Sequence, residues 1–156
     1  MRVTRFTDLG MRVLLYLHGN RGARQSAAPI TVAEIAAQFD VPANHLVKAV
    51  GRLAKMGLVD ATRGRNGGVR LSEGAGRARL GQVMRGLEGD DALIDCEGLH
   101  CALRGNCRLR GALHEALEAF YHALDGYTLA DACDDATSHQ VQRMHLAFRA
   151  VTTALQ

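Results

Sequence analysis

Three cysteines fall within twelve residues in CEGLHCALRGNC, Cys96 to Cys107, and the chain has only one other, Cys133. Their spacing, Cys-x4-Cys-x5-Cys, is longer than the short knuckle through which paired cysteines usually bind zinc, and zinc would want a fourth ligand close by. Soft thiolates on a loop bearing Gly98 and Gly105 suit an iron-sulfur cluster, whose larger body needs ligands spread over several ångströms. If Cys107 opens a helix, its thiolate also sits at the positive end of the helix dipole, which lowers a thiol pKa. Three cysteines leave one iron without a thiolate. Asp8, Glu97, His100, His114 and Cys133 are the candidates for a fourth, weaker ligand. Each has a plainer role open to it: Asp8 as a first-turn acid favoured by the helix dipole, the histidines as ordinary surface or core residues, Cys133 as a small packed hydrophobe. The plain alternative for the cluster itself is three unrelated buried thiols. Burial, however, gives no reason for them to share a polar, glycine-containing loop.

The rest of the chain must position that loop. At 156 residues it is long enough for one compact domain with a real core, or a small domain plus an appendage. No apolar run reaches membrane-spanning length, and MRVTRFTDLG lacks the apolar centre and cleavage site of an export signal. The expectation is a cytoplasmic protein, where thiols stay reduced and clustered cysteines point to metal or redox chemistry rather than to disulfides. The net charge of +3 hides an asymmetry: residues 1–79 carry thirteen Lys/Arg against five Asp/Glu, or +8, and residues 80–156 six against eleven, or −5. Seventeen of the nineteen basic residues are arginine, the side chain suited to phosphate forks and DNA grooves. An ordinary solvated basic face would look the same by charge alone.

The local pattern supplies the missing order. Phe6, Leu9, Val13 and Leu17 share one stripe of a helix expected over residues 4–18. Thr31 with Glu34, and Ile30 with Ile35, read as a capping box and hydrophobic staple opening a second helix that runs to about Phe39. After the turn DVP a third helix continues to about Met56, where Gly57 can take a left-handed stop. Its inner stripe is Leu46, Val50 and Leu53; His45, Lys48, Arg52 and Lys55 recur on the other side. Two short helices across a tight turn, the second with a cationic face, form a helix-turn-helix. Segments 58–62 and 68–71 flank a turn with Arg63 and Arg65 at its tip, a hairpin that in this order is a wing. Leu80, Val83, Met84 and Leu87 mark a fourth helix. From Cys107 a long helix carries Leu109, Leu113, Leu117, Phe120 and Leu124, more apolar surface than a small winged domain can cover, which predicts dimerisation. Thr128 and Asp131 form a cap pair. The tail, with Val141, Met144, Phe148, Val151 and Leu155, is helical by period and is expected to order against a partner. The fold class is therefore mainly α with a small β-hairpin: a winged helix-turn-helix over residues 1–79, then 80–132 with a linker helix, the cysteine loop at 96–107 and a dimerisation helix, then a tail at 133–156.

FTDLGMRVLLYL, NHLVKAVGRLAKMGLVDATRGRNGGVRL, the cysteine loop running into CRLRGAL, and LDGYTLADA together resemble the iron-sulfur winged-helix regulators, the IscR/NsrR superfamily. Within it the cysteine spacing and YTLADA favour the nitric-oxide-sensitive repressors. The likeness extends to about Ala132. It implies a homodimeric repressor holding one cluster per subunit, 4Fe-4S with 2Fe-2S as the alternative, through Cys96, Cys101 and Cys107. An aspartate contributed by the other subunit completes the coordination in some members, and Asp8 stands at that position. IscR-type regulators have a histidine three residues after the last cysteine; here that residue is Arg110, which argues against that type.

On this reading nitric oxide displaces the ligands of the iron and the dimer leaves a palindromic operator. Asn44, His45, Lys48 and Arg52 are the expected major-groove and phosphate contacts, and Arg63, Arg65 and Asn66 those of the wing. One rival is a regulator of the same fold that senses iron supply or redox state. Another is a cluster carrier, which would need the thiols but neither helix-turn-helix nor wing. No nucleophile–base pair or phosphate-binding glycine loop is apparent, so an enzyme is not expected.

Overall fold

Thr4 starts the first helix by accepting a hydrogen bond from the Thr7 backbone N–H on its side-chain oxygen at 3.2 Å, satisfying a donor that the helix leaves open. In this computed structural model α1 spans Arg5–Gly19. The residues described are 3–21, 29–62, 64, 67–89, 93–96, 98 and 100–154. Arg63, Arg65 and Asn66 of the wing tip, Glu97 of the cysteine loop and Leu155 of the tail lie outside them. Thr31 caps α2, Val32–Phe39, by accepting from the Glu34 backbone N–H at 3.1 Å. Asp40 ends that helix in the left-handed region, and α3, Ala43–Lys55, begins after Pro42. Gly57 follows α3 with φ +72°, the stop that only a residue without Cβ takes freely.

Strands β1, Val59–Thr62, and β2, Gly68–Leu71, pair antiparallel in the register Val59↔Leu71 to Thr62↔Gly68. The hairpin is tied to the segment before α2 by the Val69 N–H, which donates to the Ile30 carbonyl at 2.7 Å. Gly68 is required at this crossing, since a Cβ there would lie 2.5 Å from Pro29 and 2.7 Å from the Ile30 oxygen. A 3-10 turn at Ala75–Arg77 leads to α4, Leu80–Glu88. The cysteine segment is a run of turns before α5, Arg108–Leu124. Thr128 and Asp131 close a complete capping box on α6, Leu129–Ala132, and α7 spans Asp135–Ala154.

One apolar core joins these elements. Leu14 and Val13 of α1, Ile35 of α2, Leu46 and Leu53 of α3 and Leu129 of α6 are fully buried, and Leu80, Val83, Leu87 and Val141 pack into the same cluster. Fully burying such a side chain contributes about 1.5–3 kcal/mol. Two features differ from the sequence expectation. Only half of the capping box on α2 forms, because the Glu34 carboxylate turns inward to the Tyr16 hydroxyl at 2.7 Å and to His145 Nδ1 at 2.5 Å. The tail packs on its own chain: the β-carbon of Val141 would lie 2.9 Å from a Cβ added at Gly19, and Gln142 donates to the Gly19 carbonyl at 3.0 Å. The long helix is the opposite case. Tyr121 is its only buried residue; Leu109 is 62% exposed and Leu113, Leu117 and Phe120 are half-buried, so its apolar stripe is only partly covered within one chain.

Candidate functional site

The described part of the cysteine loop is held by short-range bonds. Asp95 Oδ1 accepts from the Gly98 N–H at 2.6 Å, the Cys101 N–H reaches the Cys96 carbonyl at 3.4 Å, and the Arg104 N–H donates to the Cys101 carbonyl at 3.1 Å. His100 sits at φ +50° with its Nδ1 3.1 Å from the Gly98 carbonyl. All three loop thiols are free, Cys96 buried and Cys101 and Cys107 partly so. Cys107 is the N-cap residue of α5 and makes no side-chain capping bond, which leaves its sulfur available at the helix start. A cavity of about 390 Å³ opens beside it, bordered by Leu93, Ile94, Arg110, Leu113 and His114 among others. Among the described residues no three His, Cys, Asp or Glu side chains converge as a metal-binding group. The donor chemistry fits a soft-metal cluster nonetheless: three unbridged thiols on one loop, next to open space at a helix N-terminus.

The other candidate ligands are placed less favourably within one chain. Asp8, on the outer face of α1, accepts from Arg12 Nε on both carboxylate oxygens at 3.0 Å and is about half exposed. Arg12 in turn stacks over the Phe39 ring at 5.6 Å, linking Asp8 to the end of α2. Cys133 is packed away, its thiol 3.6 Å from the Leu15 carbonyl and 3.6 Å from the Ser138 hydroxyl, and burial raises its pKa. That is the small packed hydrophobe of the plainer reading. His114 borders the cavity.

Helix α4 bridges α5 to α3 and to the start of α1. Its Gly81 lies so close to α5 that an added Cβ would strike the Tyr121 carbonyl and the Asp125 carboxylate. The Gln82 N–H donates to Asp125 Oδ1 at 2.9 Å, Arg85 pairs with Glu118 at 2.6 Å, and the Arg85 guanidinium lies 4.4 Å over the Tyr121 ring. The pairing holds the Glu118 carboxyl below its ordinary range and raises the arginine, both chiefly through the shared hydrogen bond. Toward the other side, Arg52 Nε of α3 donates to the Gly86 carbonyl at 2.8 Å, and the Thr4 N–H donates to Glu88 Oε1 at 2.8 Å.

On α3 the buried residues are Leu46, Ala49, Val50 and Leu53, and the exposed ones include Asn44, His45, Val47, Lys48, Gly51, Arg52, Ala54 and Lys55. Asn44 Oδ1 accepts from the His45 N–H at 3.0 Å. A profile of the Rrf2 family, described as iron-dependent transcriptional regulators, matches residues 3–135. The chain belongs to the Rrf2 family. It is 43% identical over 141 residues to the HTH-type transcriptional regulator NsrR of Geobacillus kaustophilus, covering 88% of this chain and 93% of that one. It is 46% identical over 132 residues to the HTH-type transcriptional repressor NsrR of Streptomyces coelicolor, covering 84% and 87%. Solved structures that share the fold include CymR, the global cysteine regulator of B. subtilis, at 22% identity and a TM-score of 0.64 over 85% of this chain and 96% of that one. T. potens IscR aligns at 23% identity and a TM-score of 0.64 over 87% and 88%. The winged, mainly α-helical architecture is thus that of Rrf2 transcriptional regulators, and no helix among the described residues is long and apolar enough to cross a membrane. Almost all of α7 lies beyond the Rrf2 match.

Sequence reasoning did not find the α4 contacts or the Tyr16–Glu34–His145 cluster. Gly81 carries no local signal of close approach, and the three clustered side chains come from distant positions. Val47 did leave a trace, as an apolar residue off the inner stripe of α3.

Proposed function

We propose that this Rrf2 protein is a homodimeric repressor of palindromic operator DNA, released when nitric oxide attacks an iron-sulfur cluster held in each subunit by Cys96, Cys101 and Cys107, with Asp8 of the partner subunit as fourth ligand. The observation that carries this reading is the loop of three unbridged thiols ending on the N-cap of α5, in a chain 43–46% identical to two relatives named NsrR. When bound, the cluster would supply iron at which nitric oxide can compete with the thiolate and carboxylate ligands.

The chain's own residues do the rest. Thiolates gathered from Cys96, Cys101 and Cys107 fix the start of α5. Helix α5 holds α4 through Glu118–Arg85 and Asp125–Gln82, and α4 holds α3 through the Gly86 carbonyl and Arg52. Leu109, Leu113, Leu117 and Phe120 form the subunit seam, and a two-fold dimer then presents its two α3 helices to half-sites about 34–36 Å apart. Residues 1–79 serve as the DNA-binding part, 80–132 as the sensing and pairing part, and 133–156 as a brace. Asn44, His45, Lys48 and Arg52 meet the major groove and phosphates, and Arg63, Arg65 and Asn66 the minor groove. A thousandfold loss of operator affinity requires only about 4 kcal/mol of differential stabilisation between the two states.

A second reading, release on iron depletion, is favoured by the iron-dependent description of the family; Arg110 at the position of the IscR-type histidine weighs against it. Oxygen-free purification, an absorption spectrum with iron and sulfide analysis, and DNA-binding anisotropy under nitric oxide, peroxide or chelator separate the two. Cys101→Ala is expected to be colourless and indifferent to nitric oxide. A variant that stays coloured and responsive overturns the ligand assignment, and release by chelator alone selects the second reading.

A further inference from the structure

Val47 is 57% exposed, and among the described residues up to Gly89 no other large apolar side chain is exposed to that degree. It lies on the outward side of α3. At 3.6 residues per turn, Asn44, Val47, Gly51 and Ala54 fall on one outward strip of the helix, and Lys48, Arg52 and Lys55 on the strip beside it. The cationic strip leans toward α4, where Arg52 is anchored on the Gly86 carbonyl. The other strip is low. Gly51 has no side chain, and a Cβ built there would meet nothing within 4 Å.

A helix laid in a groove with long cations on one flank and a low strip on the other brings the low strip nearest the base edges. Valine can neither donate to a phosphate nor accept from a base amino group. The major-groove feature it matches is the C5-methyl of thymine, the only apolar group the bases present there. Resting on the operator-binding reading above, we propose that Val47 is a specificity-determining residue whose γ-methyl groups pack against one thymine methyl in each half-site.

The test uses the full-length protein, purified without oxygen, and a duplex selected by it from a random pool. Each thymine of the selected half-site is replaced in turn by deoxyuridine, which removes the methyl and alters no hydrogen bond. Affinity is read by anisotropy at fixed salt. One position per half-site is expected to weaken binding about fourfold, the effect of losing one buried methyl. Val47→Ala should bind the thymine duplex about as weakly as the parent binds that deoxyuridine duplex, lose discrimination at that position only, and keep the salt slope, because no phosphate contact is removed. Val47→Thr, which keeps the shape and one methyl, should fall between and carries the comparison if the alanine variant folds poorly. The proposal is overturned if the parent is indifferent to deoxyuridine at every thymine, or if both variants keep the parent's discrimination. Failure to select any preferred duplex overturns the operator-binding reading itself.

Discussion

Replacing His145 by leucine tests what holds the C-terminal helix. His145 and Glu34 are 6% and 4% exposed, and one carboxylate oxygen of Glu34 receives both the Tyr16 hydroxyl at 2.7 Å and His145 Nδ1 at 2.5 Å. The three side chains join α1, α2 and α7. Leucine fills much of the imidazole's volume, so the loss is mainly that of a hydrogen bond to a charged group and of a partner for a buried carboxylate, about 2–3 kcal/mol. For a chain of this size that corresponds to a fall in Tm of roughly 4–12 °C. The assay is thermal unfolding at neutral pH on the metal-free protein, with limited proteolysis to follow release of α7. The triple variant Tyr16→Phe, Glu34→Leu, His145→Leu is expected to recover much of the loss, since removing every polar partner leaves none unsatisfied. A single variant within about 2 °C of the parent, less than 1 kcal/mol, or a triple variant no better than the single, would refute this account of the brace.

Further outcomes follow from the same contacts. Gly81→Ala drives a Cβ into the Tyr121 carbonyl and the Asp125 carboxylate, so despite its better helix propensity it should lose about 1–3 kcal/mol. It should also part α4 from α5, read as lost protection of the α4 amides in hydrogen exchange. Alkaline stability should fall as pH rises. Burial first, then the hydrogen bond to Glu34, raises the Tyr16 pKa above its ordinary 10.0, and burial raises Cys133 above 9.0. Above those ordinary values the folded chain binds more protons than the unfolded one, so stability is complete below about pH 9 and declines beyond it. Tyr16→Phe should flatten that decline in pH-dependent denaturant titrations, and an unchanged slope would count against it. At the acid end, Asp131 is held below its ordinary 3.8 by the Thr128 hydroxyl and backbone N–H. Its contribution is present above that value and lost as pH falls through the lower folded pKa, a limb that Asp131→Asn should remove.

What could be read in the sequence was local. The caps at Thr31 and Thr128, the glycine stop at Gly57 and the pairing of β1 with β2 each depend on nearby residues, and these elements form where the pattern places them. Three cysteines on one loop are also a local signal. Glu34 shows where locality ends. Its spacing from Thr31 is that of a capping box, yet its carboxylate is drawn inward by Tyr16, 18 residues before it, and His145, 111 residues after it. The same holds for the tail, whose helical period was legible but whose docking on Gly19 depends on a surface made by α1. Arg52 is legible in the sequence as a cation of the expected DNA-contacting face, but its anchor on the Gly86 carbonyl, 34 residues away, is not.

On the proposed reading, α4 carries the signal from the cysteine loop to α3. Helix α4 is fixed from three sides, by Thr4 at the start of α1 and Gly10 within it, by Arg52 and Met56 at the end of α3, and by Glu118 and Tyr121 of α5 with Asp125 just after it. The described loop residues include a run of short-range turns, and the start of α5 exposes Leu109 with no side-chain cap. On the proposed reading, a cluster bound by the three thiols adds to the ordering that these turns supply. It can bias only what its binding distinguishes, here the position of the α5 N-terminus. With α4 docked on α1, α3 and α5, the proposed shift would pass through α4 to α3. Disrupting α4 contacts should consequently leave binding of the group intact while breaking its link to DNA affinity, whereas disrupting the thiols should abolish both.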